Sequence, residues 1–189
     1  NETSTGVLHG AEAVGKIAKK HGALFIMDAI TSIGGDYVKT DEWGVDICVA
    51  GSQKCLVSPP GLAMVSVSPK AWEVIGKNKT RNYYLKLPSY KKSMEKKTTP
   101  FTPSVTLIYG LQAALRAIKE EGLENRIKRH RLMAKATREA VKAMGLELYA
   151  DERHASNTVT SIKIPQGLTD EDVRGKMKKE HGILLAGGQ

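Results

Sequence analysis

The sequence predicts an α/β fold, with part of a mostly parallel sheet and its helices followed by part of a smaller α+β unit. Three observations predict it. Short, fully apolar runs end abruptly in polar residues, the pattern of strands buried on both faces of a parallel sheet. Between those runs lie amphipathic segments whose apolar residues recur three and four apart. Past residue 122 the alternation changes, and a long helix leads into strand, strand, helix and strand.

Residues 11–21 place Ala11, Val14, Ile17 and Ala18 on one helical face with Lys16, Lys19 and Lys20 opposite, and Gly22 stops the helix. The run Ala23, Leu24, Phe25, Ile26 and Met27 then predicts a buried strand with Asp28 at its carboxyl end. After the glycine turn at Gly34 and Gly35, residues 46–50 repeat the form and close at Gly51, Ser52, Gln53 and Lys54. A third strand is expected over 62–67, entered through Pro59, Pro60 and Gly61, with a short helix over 70–75. The stretch 77–102 has weak periodicity and many lysines, so it is expected to be mostly loop. Val105, Ile108, Leu111, Leu115 and Ile118 predict a long helix opening at Pro103 and running to about Glu120. A second helix is expected over 123–144, ended by Gly145. The remainder reads as two strands, the second over 158–164, a turn at Pro165, Gln166 and Gly167, a helix opened by Thr169, and a last strand from Ile183. A domain boundary is placed near Gly122, giving domains 1–121 and 122–189.

The chain of 189 residues is 41% hydrophobic and 26% charged, enough apolar material for a packed core, so a disordered chain is excluded. Its 18 glycines and 7 prolines follow no period, which excludes collagen-like and low-complexity classes. No apolar run approaches the roughly 20 residues that a membrane-spanning helix needs. Cys48 and Cys55, with no further cysteine, read as free thiols of a reducing, cytoplasmic setting. The five histidines are dispersed, so no metal site is expected. The net charge of +9 is densest over 77–97, where Lys77, Lys79, Arg81, Lys86, Lys91, Lys92, Lys96 and Lys97 face only Glu95. A hydrated basic surface is the plain reading; a polyanion-binding module, with Tyr83, Tyr84 and Tyr90 as stacking platforms, is the alternative. The first residue is Asn1 rather than Met, and both ends look cut.

In an open α/β sheet, ligands bind beyond the carboxyl ends of the strands. Asp28 and Lys54 both fall at such ends. An acid and a lysine placed this way suggest either an ion pair or a cofactor that uses both, as pyridoxal phosphate does: its aldehyde takes a lysine amine and its ring nitrogen needs a carboxylate.

Residue identities go further. The block from Asn1 to Val7, then Asp28 to Ser32 with Gly34 and Gly35, Asp41 to Asp46, Gly51 to Cys55, Pro59 to Leu62, Thr99 to Pro103, Glu120 to Leu123, and Arg129 with His130 together resemble the class V pyridoxal-phosphate aminotransferases. The branch resembled is that of the alanine–glyoxylate and serine–pyruvate aminotransferases. The resemblance implies a fold-type I architecture, with residues 1–121 the second half of the large cofactor-binding domain and 122–189 the start of the small one. It implies transamination between a small amino acid (alanine, serine or aspartate) and a small 2-oxo acid (glyoxylate or pyruvate).

Carried over by position, the resemblance implies that Lys54 forms the Schiff base and shuttles the proton, while Asp28 pairs with the ring nitrogen. Thr3 bonds the ring oxygen, although a turn or cap role is open to it. Gln53 reaches the phosphate. Thr102 reaches the phosphate of the opposite subunit of a homodimer, although it also suits an N-cap before Pro103. Thr99 departs from the tyrosine some relatives place nearby. The ring-stacking aromatic and the phosphate loop are expected upstream of Asn1, and the carboxylate-clamping arginine beyond Gln189, so the chain alone is expected to be inactive or nearly so. Other class V chemistry, of cysteine desulfurase or kynureninase type, is the alternative within the fold. Neither cysteine suits the first: Cys48 lies in a strand, and Cys55 reads as a small buried filler beside Lys54.

Overall fold

The computed structural model describes residues 1–79 and 81–187, which fold into two compact units. One comprises Asn1–His9, Thr31–Tyr37 and the described residues from Glu121 onward; the other comprises the described residues of Gly10–Ile30 and Val38–Glu120.

The second unit holds the sheet. Helix α1 (Ala11–Lys20) follows the predicted amphipathic face, carries Lys19 and Lys20 in its last turn where the helix dipole favours cations, and gives way to Gly22 at φ 64°. Its buried residue is Gly15, where an added Cβ would fall 1.8 Å from the Trp43 carbonyl oxygen, so only glycine permits this approach. Strands β1 (Ile26–Asp28), β2 (Ile47–Gly51) and β3 (Ala63–Val67) form one sheet in that order. β1 and β2 are parallel, with Ile26 opposite Ile47 and Asp28 opposite Val49. β3 runs antiparallel to β2, with Gly51 opposite Ala63 and Ile47 opposite Val67, so the sheet is mixed. The link over 52–62 is too short for the crossover that a parallel partner requires.

β1 is shorter than the apolar run that predicts it, and it is not buried on both faces: Ile26 is 62% exposed, and among the described residues β1 pairs with β2 alone. Asp46 ties the amino-terminal edge of the sheet. Its carboxylate accepts the Phe25 N–H (2.9 Å) and the Ser68 hydroxyl (2.8 Å), and its backbone N–H and C=O bond Phe25 O (2.8 Å) and Ser68 N (2.7 Å). The opposite edge is left to Asp28 and the loop after Gly51.

Helix α2 (Pro69–Lys77) begins with Ser68 accepting the Ala71 N–H and proline in its first turn. The expected loop over 77–102 instead contains helix α3 (Leu87–Glu95). It is short and rich in lysine, and no side chain caps its start, so neither spacing nor a cap announces it. Near it, Phe101 stacks at 4.8 Å from Tyr84 and 5.5 Å from Tyr83. Helix α4 (Val105–Glu121) starts two residues beyond Pro103, so Thr102 does not occupy the residue flanking the helix.

In the first unit, helix α5 (Leu123–Ala143) buries Ile127, Ala134 and Val141 at intervals of seven, together with Arg126. The two strands expected after it shrink to an antiparallel bridge between Leu148 and Ile162, flanked by Tyr149 N–H to Ser161 O (2.9 Å) and Lys163 N–H to Glu147 O (2.8 Å). Helix α6 (Asp170–His181) opens with a capping box of Thr169 and Asp172 and ends at Gly182 in the left-handed region. Residues 183–187 form no strand, and Gly188 and Gln189 lie outside the described residues. An apolar run becomes a strand only beside a partner that takes its hydrogen bonds, and none flanks this one among the described residues. Among the described residues, no helix is long and apolar enough to cross a membrane.

Candidate active site

Because β1 and β2 are parallel, their carboxyl ends open onto the same edge, and three of the sequence-derived candidates lie there. Asp28 is the last residue of β1. The ladder continues one residue further, from Ala29 N–H to Val49 O (2.9 Å), and the Ile30 N–H then turns back onto the Asp28 carboxylate at 2.8 Å. That bond fixes one carboxylate oxygen and leaves the group exposed at the sheet edge. Cys48, buried in β2, reports the same charge: burial pushes its thiol up, and the Asp28 carboxylate adds to the effect. A thiol held neutral in this way is a poor nucleophile. Cys55 is half-buried rather than buried.

Beyond β2 the chain enters the loop that carries Gln53 and Lys54, both exposed. Gly51 is where this loop and the one after β1 meet. A Cβ added there would lie 3.1 Å from Gln53 Oε1 and 3.4 Å from Ile30 Cγ2, so the missing side chain lets Gln53 fold in against the strand end. Ser52 is fully buried and ties both sides of the loop. Lys54 follows two residues later, and its carbonyl accepts the Val57 N–H at 2.9 Å. Sequence reasoning passed over Ser52. Its one local signal is its position, between the glycine that ends an apolar strand and the pair Gln53 and Lys54.

The two threonines lie elsewhere. Thr102 is exposed on the segment before α4. Thr3 belongs to the first unit, exposed on a tight turn closed by Glu2 N–H to Val7 O (2.8 Å) and Gly6 N–H to Glu2 O (2.9 Å). Trp72 sits under the Lys91 ammonium (4.7 Å) beside an open groove of about 250 Å³ between α2 and α3, and none of the five candidates lines it. The glycine turn after β1 is held within the first unit, where Arg126 donates to the Gly34 carbonyl at 2.7 Å and Asp36 accepts from Asn157 at 2.9 Å.

Comparison with known proteins gives the family and the fold. The model of the family described as Aminotransferase class-V matches residues 1–189. Over its full length the chain is 53% identical to an uncharacterized aminotransferase of Methanocaldococcus jannaschii, of which it covers 50%. It is 41% identical to a serine–glyoxylate aminotransferase of Arabidopsis thaliana, of which it covers 48%. The crystal structure of an alanine–glyoxylate aminotransferase from Nostoc sp. superposes with a TM-score of 0.94 at 33% identity, over all of this chain and 51% of that one. The chain thus spans about half the length of the curated relatives it matches.

Proposed function

The chain belongs to the class V aminotransferase family and has the α/β architecture of the fold-type I pyridoxal-phosphate enzymes, and from that premise we propose that the whole protein moves an amino group between a small amino acid and a small 2-oxo acid. Alanine, serine or aspartate is the donor and glyoxylate or pyruvate the acceptor. One observation carries the reading: a carboxylate at the end of β1 and a lysine in the loop just beyond the end of its parallel neighbour β2 lie at the same carboxyl edge.

The residues at that edge fit pyridoxal 5′-phosphate in their chemistry. There is an amine at Lys54, a carboxylate at Asp28, and an amide at Gln53 folded into the space that the glycine at 51 leaves open. Bound there, the cofactor supplies the aldehyde that takes the amino group and the ring that withdraws electrons from the substrate α-carbon. The chain supplies the rest. Lys54 Nζ would hold the cofactor and, when free of it, would carry the proton between the substrate Cα and the cofactor C4′. Asp28 keeps a proton on the ring nitrogen, and Gln53 donates to the phosphate. Thr3 donates to the ring oxygen without adding charge, and Thr102 reaches the phosphate held by the other subunit of a homodimer. Residues 1–121 are assigned to the large domain and 122–189 to the start of the small one, in a cytoplasmic enzyme.

The test is borohydride reduction of the protein at its natural length after incubation with pyridoxal phosphate, followed by peptide mass mapping. A phosphopyridoxyl mass on the peptide containing Lys54 is expected; label confined to other lysines would overturn the assignment. Pairwise assay of the three donors against the two acceptors then identifies the substrates.

A further inference from the structure

We propose that Ser52 is a positioning residue for Lys54, acting through the backbone of the loop that carries it; the inference rests on the assignment of Lys54 made above. Ser52 is 0% exposed, and three of its groups are in use. Its N–H donates to Leu62 O (3.1 Å) and its C=O accepts the Ser58 N–H (3.0 Å). Its hydroxyl donates to Pro59 O (2.6 Å) and accepts the Leu62 N–H (3.3 Å). One small side chain thereby joins the outgoing and returning limbs of the 52–62 loop.

The closure works against a local backbone preference. To bring Ser58 back to Ser52 the chain reverses at Val57, whose φ is 56° and whose N–H donates to Lys54 O (2.9 Å). A β-branched residue is a genuine outlier in that left-handed region, and it persists only where the surroundings over-determine it. Val57 is 66% exposed, so packing does not hold it there. The bonds to Ser52 do, and Lys54 sits between the restraint and the strained residue. A lysine has a flexible four-carbon stem, so the reach of its amine depends on where its Cα is fixed. A misplacement of about 1 Å costs on the order of a hundredfold in rate in positioned reactions.

The experiment compares Ser52→Ala, Val57→Pro, Val57→Asn and Ala71→Gly with the wild type, all at natural length. Ser52→Ala removes the hydroxyl bonds. Val57→Pro forbids the reversal and removes its N–H while leaving Ser52 in place, at a stability cost that the buried control Ala71→Gly separates from positioning. Val57→Asn accepts the left-handed conformation readily. Ala71, fully buried in α2, controls for a general loss of stability. The readouts are the rate at which cofactor-free protein acquires borohydride-stable phosphopyridoxyl on Lys54, and kcat and KM separately.

Ser52→Ala and Val57→Pro should each slow loading and lower kcat by about tenfold, a fraction of that ceiling, with KM changed less than about twofold. Val57→Asn and Ala71→Gly should keep the wild-type loading rate. A wild-type rate in Val57→Pro, or an equal loss in Ala71→Gly, overturns the positioning role while Lys54 remains the labelled residue. Wild-type label away from Lys54 overturns the assignment of Lys54 itself, and the role of Ser52 with it.

Discussion

Replacing Asp46 by alanine should lower the unfolding free energy by about 3 kcal/mol at pH 6, and replacing it by asparagine by about 1–2 kcal/mol. Asp46 is 7% exposed, and its carboxylate serves two partners, the Phe25 N–H at 2.9 Å and the Ser68 hydroxyl at 2.8 Å, with Lys70 Nζ at 3.6 Å. Hydrogen bonds to a charged group contribute about 1.5–3 kcal/mol each, while returning a buried carboxylate to water offsets part of that sum. Asparagine keeps one acceptor for Phe25 and can donate to Ser68, so it loses mainly the charge. Burial alone pushes the Asp46 carboxyl up, but the Phe25 N–H, the Ser68 hydroxyl and Lys70 together outweigh it and hold the group below its ordinary 3.8. With the folded value depressed, the stabilisation is present above the unfolded pKa and is lost as pH falls through the folded one. The gap between wild type and Asp46→Asn should therefore narrow between pH 6 and pH 3. Urea denaturation followed by circular dichroism at the two pH values measures it. An Asp46→Ala loss under about 0.5 kcal/mol at pH 6, the range of an ordinary surface change, or a gap that widens on acidification, would refute this account of the sheet edge.

Glycine-to-alanine changes in two helices should have opposite signs. At Gly15 the new Cβ meets the Trp43 carbonyl oxygen at 1.8 Å and the loss should be about 1–3 kcal/mol, whereas at Gly110 the nearest atom, Pro59 Cδ, is 3.5 Å away and alanine should add about 0.5–1 kcal/mol. Thermal melts of the pair check this, and a shared sign would contradict it. Ser58→Ala should leave stability unchanged or raise it by up to about 1 kcal/mol, because the buried Ser58 hydroxyl has no hydrogen-bond partner among the described residues; a clear loss in the same melts would show that it has one. In the first unit, the Arg129 guanidinium, helped by Arg126, holds Glu121 down to about 2. Its folded pKa lies below the unfolded one, so its stabilisation is complete above the ordinary 4.5 and disappears as pH falls toward 2. Glu121→Gln should flatten the acid limb of a melting-temperature profile over that range.

Several helices were legible because their signals are local. α1, α2, α4, α5 and α6 announce themselves through apolar spacing or through a cap such as Ser68 and the pair Thr169 and Asp172, and these act within a few residues of chain. α3 was invisible for the converse reason, since its nine residues are too few and too rich in lysine for a stripe to stand out, and no side chain caps its start. The identities and spacing of Asp28, Gln53 and Lys54 likewise stand in the sequence, together with the blocks that place the chain in its family.

Pairing and closure were decided elsewhere. Nothing local in 63–67 states that β3 runs antiparallel, nor in 183–187 that an apolar run finds no strand partner among the described residues, because a strand is completed by hydrogen bonds to residues distant in sequence. The same holds around Lys54. Its identity as a lysine after a buried strand is a property of the sequence, but the buried Ser52 that ties its loop and the left-handed Val57 that reverses it exist only once Pro59 and Leu62 have returned. A side chain's chemistry is carried by one residue; its restraint comes from groups the fold brings back to it, and only the tertiary structure holds them there.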